Sequence, residues 1–426
     1  MAVVDLRVCA IGVCAALVAG CGGMGMMSSS GGGGSNSTMV TVTFTGTVMP
    51  AVVAAKIGTG AFAAETLSSG MLTLSIPSGT NNYAVAAQCP AQAPQPGSQT
   101  EIVWEASIAD GTSQTYSCPS GLNQTGTLTG SLNASAIPGV QSFWIDSQYA
   151  GHATSVGVTS GATASFNLPA ASGNDRVLVL AFGSQGPAAA KNFDNQMVPG
   201  ALNGGNTVVF GAADETTPQT ITYNSVPSGF SSPSTLVTLA MGGNANSVPY
   251  AERATTQYPA LPASATEMGD VYYFTANSSA NGTNSSEVEA GTTSSGGPVS
   301  LTFPAPWSYA GPMPAALPTF TFAYSGFSGN ANALQNIGMV WQSGSGAGFP
   351  ANYFISVEAT ANYQAGSTTL AVPDLSGVAG FPTPPASGTQ VEWTASIFQQ
   401  SYSFTSTTPL NATWSSVSNG GSYMVP

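Results

Sequence analysis

Apolar residues in this chain recur at every second position, and no long segment carries them at helical spacing. Val40, Val42, Phe44 and Val48 alternate with Thr41, Thr43, Thr45 and Thr47. Tyr353, Ile355, Val357, Ala359, Ala361 and Tyr363 alternate in the same way. Successive side chains of a strand point to opposite faces, so this period builds half-buried β-strands. The runs are short and are cut by Gly, Pro, Asn and Ser clusters such as Pro77-Ser-Gly79. The expected fold is all-β, a series of tandem antiparallel β-sandwiches. Val177–Phe182 is apolar throughout, which suits a central strand buried on both faces.

Only 5% of the 426 residues are charged, yet 42% are hydrophobic. Such a chain can bury a core, but its surface must be covered by Ser, Thr, Asn, Gln and Gly rather than by ions. The net charge is −13, with five Lys and Arg in all. A phosphate backbone repels that surface, so nucleic acid is excluded as a partner. There is no basic patch for anionic lipid either.

Membrane contact is expected from the N-terminus instead. Arg7 precedes an apolar run from Val8 to Leu17, about the length of a signal-peptide core and too short to span a bilayer. The run leads into Val18-Ala19-Gly20-Cys21. This motif resembles the lipobox of bacterial lipoproteins. The resemblance implies a signal peptide over 1–20, cleavage before Cys21, and lipidation of the Cys21 thiol and amine. An ordinary secretory signal with a chance cysteine is the alternative. Residues 21–39 are rich in Gly and Ser and read as a flexible tether. Position 22 is glycine rather than aspartate, which by the same resemblance points to the outer membrane of a cell envelope.

Cys9 and Cys14 leave with the signal, so the exported body keeps Cys89 and Cys118. An even pair in an oxidising compartment reads as a disulfide. A metal held by two cysteines with no nearby histidine is the weaker alternative.

The chain repeats itself. Thr43-Phe-Thr-Gly-Thr-Val48 is echoed by Thr127-Leu-Thr-Gly-Ser-Leu132. Ser69-Gly70 leads into Met71–Ile76 and Pro77; Ser160-Gly161 leads into Ala162–Leu168 and Pro169. A further strand follows each, at Tyr83-Ala-Val85 and Val177-Leu-Val179. These echoes place one sandwich at 40–122 and another at 123–214. Gly46-Thr-Val48, Pro77-Ser-Gly79 and Tyr83-Ala-Val85 together resemble the carboxypeptidase-regulatory-like, transthyretin-type sandwich. That family is structural or adhesive, so the resemblance carries over no catalytic residue. Residues 215–426 read as more β-structure, in one large sandwich or two smaller ones. Asn277–Gly297 reads as a loop or linker, with the proline-rich 304–318 after it. A last echo joins Trp104 and Trp393, each inside a Ser/Thr/Trp/Ala/Ser/Ile pattern.

Chemistry is sparse. His152 is the one histidine, and 254–426 holds no Lys, Arg or His. A Ser-His-Asp hydrolase and a His/Cys zinc site both lack their parts. Neither a phosphate loop nor a calcium loop occurs, so no cofactor and no metal are expected. Two carboxylate pairs, Glu101 with Glu105 and Glu287 with Glu289, share a strand face and keep a glycosidase as a distant third reading. Such acids on an edge strand are ordinarily solvated. Trp307, Trp341 and Trp414 cluster late in the chain. They either fill a core or stack on sugars. The reading is a lipid-anchored, non-catalytic structural, adhesive or binding module, with a glycan or an envelope protein as partner.

Overall fold

The structure, a computed structural model, describes residues 37–45, 48–90, 99–118, 126–147, 153–158, 162–170, 173–184, 186–197, 202–241, 247–254, 256–280, 285–326, 332–343, 351–401 and 410–426. Cys21, His152 and most of the tether lie outside them.

The fold is all-β. The first seven strands are β1 (Ser37–Thr45), β2 (Val52–Ile57), β3 (Ala63–Glu65), β4 (Met71–Pro77), β5 (Asn82–Cys89), β6 (Gln99–Ser107) and β7 (Ser113–Ser117). They pair as β4-β1-β7 and β3-β2-β5-β6. Strand β4 is antiparallel to β1, and β7 is parallel to it. The alternation seen in sequence sends Val40, Val42, Phe44, Leu72, Leu74 and Ile76 inward against Tyr83, Val85 and Trp104. Gly79, at φ 86°, turns the chain from β4 into β5 where a side chain would be strained.

The same order recurs. Strands β8 (Gly126–Asn133), β9 (Ser142–Ser147), β10 (Ala153–Gly157), β11 (Thr163–Ala170), β12 (Gly173–Gly183), β13 (Gly186–Met197) and β14 (Leu202–Val209) pair as β11-β8-β14 and β10-β9-β12-β13. Strands β15 (Thr217–Asn224), β16 (Ser234–Ala240), β17 (Ser247–Ala254), β18 (Gln257–Ala260), β19 (Val271–Ala280), β20 (Ser285–Ser294) and β21 (Val299–Thr302) give β18-β15-β21 and a run β17-β16-β19-β20. In every one of these units the seventh strand runs parallel to the first.

A fourth unit holds β22 (Thr319–Thr321), β23 (Ala333–Ser343), β24 (Ala351–Thr360), β25 (Thr369–Ala371), β26 (Gln390–Gln400) and β27 (Thr413–Met424). It pairs as β25-β22 and β24-β23-β26-β27, the same order with six strands. Among the described residues no strand runs beside the free edge of β22. The Thr321 amide donates to the Tyr309 hydroxyl instead, at 3.2 Å. Tyr309 stacks on Trp307, which packs on Phe322, and Tyr309 meets Trp393 edge-on. Aromatic side chains of the proline-rich segment thus lie along the flank that a seventh strand occupies elsewhere.

Three of the units share one sheet. Strand β20 pairs antiparallel with β27, and β24 pairs parallel with β6. The result is a 12-stranded sheet, β17-β16-β19-β20-β27-β26-β23-β24-β6-β5-β2-β3. The second unit keeps its own sheets but packs against this assembly. Val177, Val179 and Ala181 of β12 face its own core, while Leu178 and Leu180 enter the main one. That is why this strand is apolar at every position.

Several expectations need correction. Strand β1 begins at Ser37, so 37–39 belongs to the sheet and not to the tether; Ser37, Thr38 and Met39 pair with Pro77, Ile76 and Ser75. The stretch 277–297 is no linker: it holds the end of β19 and all of β20. Val288 and Ala290 are buried, and so are Ser278 and Thr293, while Asn277, Glu287 and Glu289 lie on the opposite face of the sheet from Val288. The alternation at 353–363 stops at Thr360, whose hydroxyl accepts the Tyr363 amide and caps a single helical turn, Ala361–Gln364. Strand β11 runs through Pro169 to Ala170, which an edge strand tolerates. The echo around Trp104 and Trp393 joins unlike strands, the sixth of one unit and the fifth of another. Both tryptophans are nonetheless buried core residues.

Cys89 and Cys118 form a disulfide, separated by 29 residues. It ties the end of β5 to the chain just after β7, and so links the two layers of the first unit. Loop-closure entropy for such a ring gives about 3–4 kcal/mol. Replacing both cysteines by alanine is expected to lower the unfolding free energy of the first unit by that amount, read as earlier hydrogen exchange in β1 and β5. Unchanged exchange there would refute the estimate.

Candidate functional site

The few described cations whose side chains are placed all hold carboxylates, and each such pair lies at a junction. Lys56 on β2 meets Glu105 on β6 at 3.0 Å. Tyr363, from the fourth unit, donates its hydroxyl to the same carboxylate at 3.1 Å. Arg176 on β12 grips Asp270 with two hydrogen bonds of 2.6 and 2.8 Å and the Ala265 carbonyl with a third. Glu267 faces its Nε at 3.3 Å. This joins the second unit to the loop before β19. Lys191 meets Asp214 in the connection between the second and third units. Asp110 adds a clasp with uncharged donors: the Thr360 hydroxyl and the Asn362 amide both donate to it at 2.6 Å.

The carboxylate pair read as a catalytic option is therefore not a solvated edge pair. Glu101 and Glu105 are both 5% exposed, because β6 is an inner strand between β5 and β24. Burial, with Asp374 nearby, pushes Glu101 up to about 8. Glu358 on β24 is fully buried, and burial alone raises it to about 8. It faces Trp104 across the β6 register and the Tyr116 ring beyond. Sequence reasoning passed over Glu358; the signal was an acid inside an otherwise apolar alternating run. Glu287 and Glu289 do lie on one face of β20. Among the described residues no three His, Cys, Asp or Glu side chains converge to hold a metal ion.

The three tryptophans separate. Trp307 and Trp341 are 4% and 6% exposed and belong to the main core, so neither offers an open face to a sugar. Trp414 is different. It is half-buried, on the face of the large sheet opposite that core. Its register partner is Gly291, where an added Cβ would fall inside the indole. The ring therefore lies flat on the strand. Its Nε1–H donates to Glu289 at 3.2 Å, and Tyr273 stands beside it with ring centres 6.0 Å apart. Asn277 is the register partner of Glu289, and Gln400 that of Trp414. The Asn277 Oδ1 and both polar atoms of the Gln400 amide have no hydrogen-bond partner. Burial, then Glu287, push Glu289 up to about 8, against the pull of the indole hydrogen bond.

No protein-family model matches the chain, and no curated protein matches it. Among solved structures it is similar to one described as the Bacillus anthracis TIE protein, at 17% identity and a TM-score of 0.15. The match covers 56% of this chain and 45% of that one, so it spans under half of the other protein. Overlap of this quality carries no argument about fold or function.

Two expectations follow from these charges. Arg176 and Asp270 are almost wholly buried, so Arg176→Ala leaves an uncompensated carboxylate. It is expected to cost about 3–5 kcal/mol, with faster exchange at β12 and the 264–271 loop. Loss of under about 1 kcal/mol would show the pair to be a surface-like contact. The second concerns pH. Glu101 and Glu358 have folded-state values above their ordinary 4.5. The folded state then binds more protons than the unfolded state between the two values, and stability falls as pH rises through that window. Urea midpoints are expected to drop from about pH 5 to about pH 8, and Glu358→Gln to flatten that slope. An unaltered slope in Glu358→Gln would contradict it.

Proposed function

We propose that this chain is a lipid-anchored envelope protein whose body is a rigid, non-catalytic module of transthyretin-type sandwiches, presented for structural or adhesive contact. The observation that carries the reading is the use of its charged groups. Arg176 and Lys191 bind carboxylates where the second unit meets the third, and Lys56 binds Glu105 within the first unit at the point where Tyr363 of the fourth unit joins it. The repeated strand order supports tandem modules of one type. Val18-Ala-Gly-Cys21 supports the anchor, and the Gly/Ser tether would let the body stand off the lipid headgroups. No described helix is long and apolar enough to cross a membrane. A disulfide-bonded body agrees with an exported location.

Metabolic labelling with palmitate tests the anchor. The wild-type chain is expected to take up label and Cys21→Ala to lose it, along with its sedimentation with envelope membranes. Label persisting in Cys21→Ala would overturn the anchored reading.

A further inference from the structure

We propose that the outer face of the large sheet around Trp414 is a binding site for a neutral glycan, with a sugar ring stacked on the indole. This rests on the reading of the chain as a module for adhesive contact and names its ligand class. The site lies where β20 of the third unit meets β27 of the fourth, so neither unit has it alone. Gly291 is what makes it flat. Without a Cβ beneath it, the indole lies down on the strand, one face against the backbone. The partial exposure that Trp414 keeps is then on the other side of the ring. Glu289 fixes the ring from one edge through Nε1, and Tyr273 flanks it. A ring held in place loses little entropy on binding, as a stacking platform requires.

The polar groups around it suit hydroxyls. Asn277 Oδ1 and the Gln400 amide, on the ring's face of the sheet, are buried and have no hydrogen-bond partner; the first can accept, and the second can both donate and accept. Unpartnered polar atoms of this kind cost free energy unless a ligand or water meets them. The charge decides against acidic sugars. No Lys, Arg or His occurs anywhere in 254–426 to pair with an acidic sugar, and Glu287 lies on the same face as the ring. An anionic glycan would be repelled, while a neutral one needs only π-face and amide contacts. The carbohydrate CH groups supply the apolar partner for the ring, and the hydroxyls supply the donors.

The experiment is affinity electrophoresis of the mature full chain through gels containing laminarin, glycogen, galactomannan or xyloglucan, with polygalacturonate as the acidic probe. Retardation by at least one neutral polysaccharide is expected, and none by polygalacturonate. Trp414→Ala should weaken that retardation at least tenfold with an unchanged melting curve, and Trp414→Phe should retain most of it. Should Trp414→Ala unfold the sheet, Tyr273→Ala carries the test, since it leaves the indole in place and should still weaken binding. No retardation by any neutral probe, equal retardation of folded Trp414→Ala, undiminished retardation of Tyr273→Ala, or a preference for polygalacturonate would overturn the site. Such a result beside retained palmitate label would remove the glycan site and leave the anchored module standing.

Discussion

The parallel pairing of β6 with β24 is the contact on which the rest of the assembly depends. It aligns Gln99–Glu105 with Tyr353–Ala359, and the clasp beside it joins residues 250 apart in sequence. Each strand would otherwise be the edge of its own unit, with a row of open amides and carbonyls. Free edges invite unwanted pairing with other chains, and joining them removes two at once. The join also buries both faces. Val103 and Val357 pack into the main core on one side, while Trp104 and Glu358 face the first unit's core on the other. Asp110, Tyr363 and Lys56 then fix the register from the end of the strands.

With so few charges, where they are matters more than how many there are. An exposed ion pair contributes little, whereas a buried one costs several kcal/mol when a partner is lost. The pair of Arg176 with Asp270 joins two units and is almost wholly buried, so misdocked units would leave a charge buried alone. Glu358 and Glu101 work in the other direction. They are buried without a cation, and burial keeps their carboxyls protonated well above the usual range. The molecule that results is joined by specific polar contacts between units and carries few exposed charges elsewhere, among them Glu65, Glu215, Glu267, Asp374 and Glu392.

The strands and the units were largely legible, and the repeats especially so. Thr43–Thr45 and Thr127–Leu132 fall on first strands, Met71–Ile76 and 163–168 on fourth strands, and Tyr83–Val85 and Val177–Val179 on fifth strands. The third and fourth units hid because their core strands carry other residues: β15 reads Thr-Pro-Gln-Thr-Ile-Thr-Tyr-Asn, with Ile221 its one fully buried side chain. The stretch at 277–297 looked like linker because Ser, Asn and Gly dominate it, yet inside a wide sheet such residues are held by strand pairing, and Ser278 and Thr293 are buried there. The tryptophans were the least legible. Period 2 assigns a face but not which face is covered, and Trp307 sits in a segment with no period at all.

What the sequence by itself determined is the β-class, the turn positions, the cysteine pair and the scarcity of ions, because each depends on local chemistry: alternation, backbone freedom, an even thiol count and composition. What only the tertiary structure decided is how edges meet. Whether β6 is an edge or an inner strand, whether Glu101 and Glu105 are solvated or buried, and which tryptophan keeps a face to solvent all follow from backbone pairing between distant segments. A hydrogen-bonded strand edge carries no side-chain signature, since any residue but proline offers the same N–H and C=O. The partner is therefore chosen by the three-dimensional arrangement of whole units and cannot be read from either strand alone.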